Sequence, residues 1–254
     1  RNCWAWAVTY CNGCTRFEIM AKKSKGSIKS QNRRVAVDWN SLSQAQKFTR
    51  VFAIFKSITA GGADGSILGV NGSVNGVSTK LILDSLRVNG KVVCDIGAAD
   101  GKFMVCSSLA GARQVVGVEF AENLGYKMVL EAVVQRMKLE YDIEFNLDWI
   151  GSAIEDFERV PGKPNCVYAY WNGMAPSTQN HVLEICARTS SVSSIAVFYN
   201  ANWTSPDAVI ESLNAFSDDK WVLRSTIQTR MYGSSAQHTA WVIDRIWVPR
   251  PLRN

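Results

Sequence analysis

The chain has 254 residues, 47% of them apolar, and a formal net charge of +6. That content can bury one substantial core, and length alone permits one or two domains. No apolar stretch reaches the roughly 18 residues that a membrane span needs, so no membrane partner is expected. The seven cysteines are odd in number and scattered, which fits reduced thiols in a nuclear or cytoplasmic protein. The chain begins at Arg1 rather than Met, so it is expected to be a piece of a longer protein.

Residues 1–20 are rich in aromatics and cysteine, including Cys3, Trp4, Trp6, Tyr10, Cys11, Cys14 and Phe17. Cys11 and Cys14 form a C-x-x-C, but a zinc site would need distant ligands such as Cys166, His181 or Cys186. A hydrophobic tuck with free thiols, and no metal, is the expectation. From residue 16 to 50 the charge turns basic: Lys22, Lys23, Arg33 and Arg34 are among nine cations set against Glu18 and Asp38. Such a segment either contacts nucleic-acid phosphates or is a solvated surface. Ser41 or Ser43 then caps a predicted helix over Gln44–Ile58, with Ala45, Phe48, Val51, Phe52 and Phe55 on one face. Residues 1–60 read as an N-terminal extension and 61–254 as the main domain.

A Gly, Ser and Asn-rich stretch from Thr59 to Gly76 predicts a loop, followed by a helix from Val77 to Leu86 with Leu81, Ile82 and Leu86 inward. The stretch from Lys91 to Gly101 organises the main domain. It reads as a buried strand ending in Asp95-Ile96-Gly97, then a turn through Ala98, Ala99 and Asp100 to Gly101 and a helix. Glycines there let the backbone bend tightly and leave its N–H groups open to a ligand. The next strand closes on Glu119, an acid placed to accept from a ribose diol. Asp95 and Asp100 would repel a pyrophosphate and attract the cationic amino-acid end of S-adenosylmethionine, and the turn lacks the full Gly-x-Gly-x-x-Gly dinucleotide form. The residues therefore favour S-adenosylmethionine over NAD.

Helices are predicted over Lys102–Ala110, Ala121–Tyr141, Gln179–Thr189 and Pro206–Phe216. Strands are predicted over Ile143–Ile150, Cys166–Trp171 and Ser194–Tyr199. Two alternating runs, Trp221–Met231 and Thr239–Val248, close the chain as a hairpin. Strands alternating with helices imply an α/β doubly wound sheet, and the hairpin gives it an antiparallel edge: the seven-stranded, Rossmann-like methyltransferase architecture. Reactive sites of such sheets lie at the carboxyl ends of the strands. One strand ends in Tyr170-Trp171-Asn172-Gly173-Met174-Ala175-Pro176, and its neighbour in Phe198-Tyr199-Asn200. Tyr170, Trp171 and Tyr199 can wall a passage and attract a cation, and Asn172 can accept from an amine. His181 and His238 read as structural. No general base stands out.

The stretch from about Asn71 to Asn202 resembles the non-SET histone H3 lysine methyltransferases of the disruptor of telomeric silencing family. The similarity lies in Asp95-Ile96-Gly97-Ala98-Ala99-Asp100-Gly101, in Val116-Gly117-Val118-Glu119 with Ala121-Glu122, and in Trp171-Asn172-Gly173-Met174-Ala175-Pro176. The resemblance implies that Asp95, Gly97, Ala98, Ala99, Gly101, Glu119 and Phe120 hold S-adenosylmethionine and that Asn172 lines the acceptor channel. It places Val77 and Ser78 in a loop over the cofactor, and Ser152 and Ala153 near adenine. A protein substrate of histone or nucleosome type is implied. Departures are Ala99 for the middle glycine, Val77 for a glutamate, Trp171 for the first asparagine of the acceptor motif, and the Gly-Asp-Phe after the third strand, matched by Gly151-Ser152-Ala153 or, after a shift, by Asp156-Phe157. Rivals are a methyltransferase acting on RNA, DNA or a small molecule, a non-catalytic nucleic-acid-binding scaffold, and an NAD enzyme.

Overall fold

Ser43 and Gln46 cap the first helix, α1 (Gln44–Ile58), reciprocally: the Ser43 hydroxyl accepts the Gln46 N–H at 3.3 Å, and the Gln46 side chain accepts the Ser43 N–H at 2.8 Å. The helix buries Phe48, Val51, Phe52, Ile54 and Phe55 in the same core as the sheet. The sequence grouped this helix with the N-terminal extension; in the structure the compact unit begins at Trp39. The computed structural model describes residues 38–58, 65–66, 69–70, 73–232 and 235–248. The cysteine and aromatic segment and most of the basic segment lie outside those residues.

Within the expected loop, β1 (Gly65–Ser66) and β2 (Gly69–Val70) pair as a short antiparallel hairpin. Asn75 then caps α2 (Gly76–Leu86), its side chain accepting the Ser78 N–H at 2.9 Å. Thr79, Ile82, Leu83 and Leu86 face inward. Leu81 is 47% exposed, against expectation, because it lies off the i, i+3, i+4, i+7 stripe that those four residues make.

Five parallel strands come next: β3 (Val92–Ile96), β4 (Gln114–Glu119), β5 (Leu147–Gly151), β6 (Cys166–Ala169) and β7 (Ser194–Phe198). Between them run α3 (Lys102–Leu109), α4 (Leu124–Tyr141) and α5 (Pro176–Arg188), and α6 (Pro206–Ala215) leads to the hairpin β8 (Lys220–Arg230) and β9 (Gln237–Ile246). Every residue of β3 and β7 is buried, as in a strand covered on both faces. The sheet order is β5-β4-β3-β6-β7-β9-β8, with β9 antiparallel to β7 and β8 antiparallel to β9. This is the expected mixed α/β sheet.

Three strands are shorter than the sequence suggests, β7 by the single residue Tyr199. Strand β5 starts at Leu147 rather than Ile143, because it is an edge strand and its ladder with β4 begins at Val115 opposite Leu147. Strand β6 stops at Ala169, and Trp171–Gly173 coil into a single 3-10 turn.

Candidate functional site

The chain leaves β3 toward β4 on one side and β6 toward β7 on the other, so the carboxyl ends of β3 and β6 border the crevice where doubly wound sheets bind ligands. The turn after β3 has positive φ at Gly97 (75°), Ala99 (46°) and Gly101 (83°). Ala99 thus holds a left-handed conformation that glycine adopts most easily. The turn does not offer the open donors that its composition suggests. Gly97 and Ala98 both donate N–H to the Val118 carbonyl, at 2.9 and 3.1 Å, and Ala99 donates to Glu119 Oε2 at 2.8 Å. Its glycines supply room instead: a Cβ on Gly97 would sit 2.7 Å from the Met174 methyl.

Three carboxylates surround this bend. Asp95 is 1% exposed, and its Oδ1 has no hydrogen-bond partner among the described residues. Burial pushes the Asp95 carboxyl well above the usual carboxylate range, and Glu119 and Asp100 push it further. Asp100 is paired with Lys102, whose ammonium lies over the Phe55 ring at 5.4 Å. Glu119 Oε1 accepts from the Phe120 N–H at 3.1 Å and from the Asn123 amide at 2.8 Å. With Ala99 that makes three donors on a group that accepts about four, so room for one further hydroxyl remains. A buried, unpaired acid at a glycine bend suits a small cationic ligand, and a neighbouring acid suits a sugar hydroxyl.

Beside the bend lies a cavity of about 240 Å³, lined by Ile96, Gly97, Val118, Glu119, Phe120, Ser152, Ile154, Gly173, Met174, Ala175 and Thr178. This is below the roughly 300–1,000 Å³ of most small-molecule sites, and the flexible Met174 side chain is the wall best able to retract. Ser152 donates its hydroxyl to Asp156 at 2.5 Å, so the two alternative matches for the acid after the third strand come together at one place. Ala153 begins the turn that carries Ile154.

On the acceptor side the expected aromatic wall divides. Trp171 is fully buried, donates its indole N–H to the Phe198 carbonyl and stacks on Trp203 at 5.8 Å. It is core and lines no passage. Tyr170 is half-buried, lies edge-on to Phe198 and directs its hydroxyl to Met231 Sδ at 3.2 Å. Tyr199 is 46% exposed and lies edge-on to Trp241. The Asn172 amide nitrogen meets His238 Nδ1 at 3.1 Å, while the buried Asn172 Oδ1 has no partner among the described residues. His238, expected to be structural, is therefore part of this cluster.

Val77 and Ser78 do not line the cavity. Val77 is 60% exposed, and the Ser78 hydroxyl accepts the Arg230 N–H at 2.9 Å, fixing α2 to the closing hairpin. Gln179 was missed. It is 2% exposed and ties two strand ends together: its amide donates to the carbonyls of Trp171 (3.0 Å) and Met174 (2.9 Å), and its oxygen accepts from Asn200 and Asn202, each at 3.3 Å. A signal existed, since Gln179 sits on the stripe of Val182, Leu183 and Cys186, the polar member of an otherwise apolar face.

No family profile matches the sequence. No curated protein matches it either. Among solved structures, the chain is similar to a candidate RNA methyltransferase from Pyrococcus horikoshii, with a TM-score of 0.55 and 14% identity over 80% of this chain and 99% of that one. It is also similar to magnesium protoporphyrin IX methyltransferase from Synechocystis, solved with bound S-adenosylmethionine, with a TM-score of 0.53 and 14% identity over 81% and 99% of the two chains. This chain has the class I methyltransferase fold. At such identity the class I likeness is one of architecture, and it gives no support to the histone H3 type that the strand-end motif resembles.

Proposed function

We propose that the chain is an S-adenosylmethionine-dependent methyltransferase acting on an amine, with a protein lysine side chain as the favoured acceptor. The carrying observation is Asp95: a buried carboxyl with an oxygen that has no partner among the described residues, at the switch point of a class I sheet, beside a turn that holds Gly97 and Gly101 at positive φ. Asp95 would hold the donor's ammonium, Glu119 would take a ribose hydroxyl, and Phe120, Ser152, Ile154 and Thr178 wall the cavity that would take the base. Gly97, Ala98, Ala99 and Gly101 shape the bend, their N–H groups being engaged within the chain. When bound, S-adenosylmethionine supplies a sulfonium methyl, which a nucleophile's lone pair takes as the carbon–sulfur pair leaves with sulfur.

The chain's own task is alignment and exclusion of water. Tyr170 and Tyr199 stand at the acceptor side, and Asn172 offers a carbonyl to the incoming nitrogen. A lysine ammonium must shed its proton first, and apolar surroundings help by disfavouring the charged form. The basic segment 16–50 extends the reading to nucleosomal substrates, where it would meet nucleic-acid phosphates.

Calorimetry with S-adenosylmethionine tests the donor site: saturable heat is expected, and its absence would leave a non-catalytic scaffold. Radiolabelled transfer to nucleosomes, free histones and total RNA in parallel tests the acceptor. Label in protein is expected, and label in RNA alone overturns the lysine reading.

A further inference from the structure

Asn172 ends in an amide whose two faces differ in chemistry: the nitrogen only donates and the oxygen only accepts. Whichever atom turns toward the acceptor decides what can bind there. In the structure the nitrogen is engaged by one ring nitrogen and has a hydroxyl in its neighbourhood. It meets His238 Nδ1 at 3.1 Å. The Tyr170 hydroxyl, which directs its own hydrogen to Met231 Sδ at 3.2 Å, keeps lone pairs for the second amide hydrogen. Burial raises the Tyr170 pKa, and the Asn172 amide works against that rise. The Tyr170 ring stands edge-on to His238 at 6.0 Å, so all three side chains form one cluster. Asn172 Oδ1 is left buried with no partner among the described residues, and the next residue in the chain, Gly173, lines the cavity.

We infer that His238 and Tyr170 are positioning residues that lock the Asn172 carbonyl toward the acceptor, so that the site selects a nucleophilic nitrogen still carrying an N–H. The inference rests on the methyl-transfer reading. An amide nitrogen cannot accept, so the contact requires His238 Nδ1 to be unprotonated, with the ring proton on Nε2. A neutral primary amine satisfies both demands, giving one N–H to Oδ1 and its lone pair to the methyl carbon. The proton of the methylated ammonium passes to water. A monomethylamine still has one N–H. A neutral dimethylamine has none, so transfer stops at two methyl groups. Carboxylates and ring nitrogens without hydrogen are rejected, because they leave Oδ1 unpaired beside another acceptor.

Nitrogen-15 correlation spectra of the histidines, recorded on the full chain in mild alkali, read the tautomer without any turnover. The chain has two histidines, and His238→Asn identifies the signals. An unprotonated Nδ1 on His238 is expected, and a proton there overturns the proposal. For turnover, His238→Leu removes the acceptor, whereas His238→Asn places an amide oxygen close to where Nδ1 sits. His238→Leu should lower kcat by about ten- to a hundredfold with unchanged donor affinity by calorimetry, since misorientation costs rate more than binding. His238→Asn should recover most of that loss, and equal losses in both variants overturn the assignment. Label from the methyl donor is then traced into a cell extract. Alkali-stable mono- and dimethylated nitrogen is expected. Alkali-labile esters alone, or trimethylated nitrogen, would sink this inference while leaving methyl transfer intact. Absence of donor binding instead defeats the methyl-transfer reading, and the tautomer still decides the orientation of Asn172.

Discussion

Asp95 is buried with one oxygen lacking a partner among the described residues and two acids nearby, an arrangement that costs stability unless a cation arrives. Its folded pKa lies above the unfolded value near 3.9, so the folded state holds the proton more tightly. Stability from this group is therefore full in acid and falls as pH rises through the interval between the two values. Asp95→Asn should melt at a higher temperature than the parent at neutral pH, by about 2–4 °C for each kcal/mol recovered, and show little gain in acid. The same variant should bind S-adenosylmethionine at least about tenfold more weakly, a loss of about 1.4 kcal/mol. A lower melting point at neutral pH would show that the carboxylate is stabilised within the fold itself. Ala99 makes a second case. At φ 46° its side chain costs about 1–2 kcal/mol relative to ordinary backbone. Part of that is offset by the freedom that a glycine loses on folding, so Ala99→Gly should raise urea stability by about 0.5–1 kcal/mol. The sequence shows only an alanine between two glycines; the left-handed conformation is visible in the backbone alone.

Among elements, the ends of β6 and β7 form a unit because Gln179 joins them. Gln179→Glu keeps the oxygen that Asn200 and Asn202 need but sets a carboxylate against the Trp171 and Met174 carbonyls. Gln179→Met abolishes all four contacts. Each variant should lose about 2–4 kcal/mol by denaturant melts, since buried carbonyls would lack a donor. Hydrogen exchange separates them: protection should fall at 171–174 in the Glu variant and in both loops in the Met variant. Retained protection in both would mean that Trp171 stacking on Trp203 alone holds the loops. Helix α1 was legible because its capping pair and its apolar stripe lie within a few residues of each other. The length of β5 was not, because a partner strand decides where an edge strand begins. Trp171 was read as a channel wall from its neighbours, but its burial comes from Phe198 and Trp203, contacts that no local pattern announces.

At the scale of the whole molecule, alternation of strand and helix was enough to give the parallel sheet, and the final alternating runs gave the antiparallel edge. What fastens that edge to the rest was hidden in Arg245, an arginine in an apolar run. Arg245 is 6% exposed and sits on β9, where it donates to the carbonyls of Thr189 (2.9 Å), Cys186 (3.1 Å) and Ala187 at the end of α5. Its guanidinium also lies over the Trp221 ring of β8 at 4.6 Å. One side chain thus caps a helix on the sheet's face and clamps both strands of the closing hairpin, with its charge set favourably against the helix C-terminus. Arg245→Met fills the space but leaves those carbonyls without donors, and should cost about 2–4 kcal/mol. Arg245→Lys should not restore the loss, because an ammonium lacks the planar fork that reaches separate carbonyls while stacking on an indole. Calorimetric melting and residue-level hydrogen exchange check this together. If Arg245 couples the hairpin to the sheet, both substitutions lower the melting point in a single transition and expose the last turn of α5 together with β8. Fraying of β8 alone, with α5 still protected, would mean that the hairpin is held by its own ladder to β7 and that Arg245 is only a helix cap.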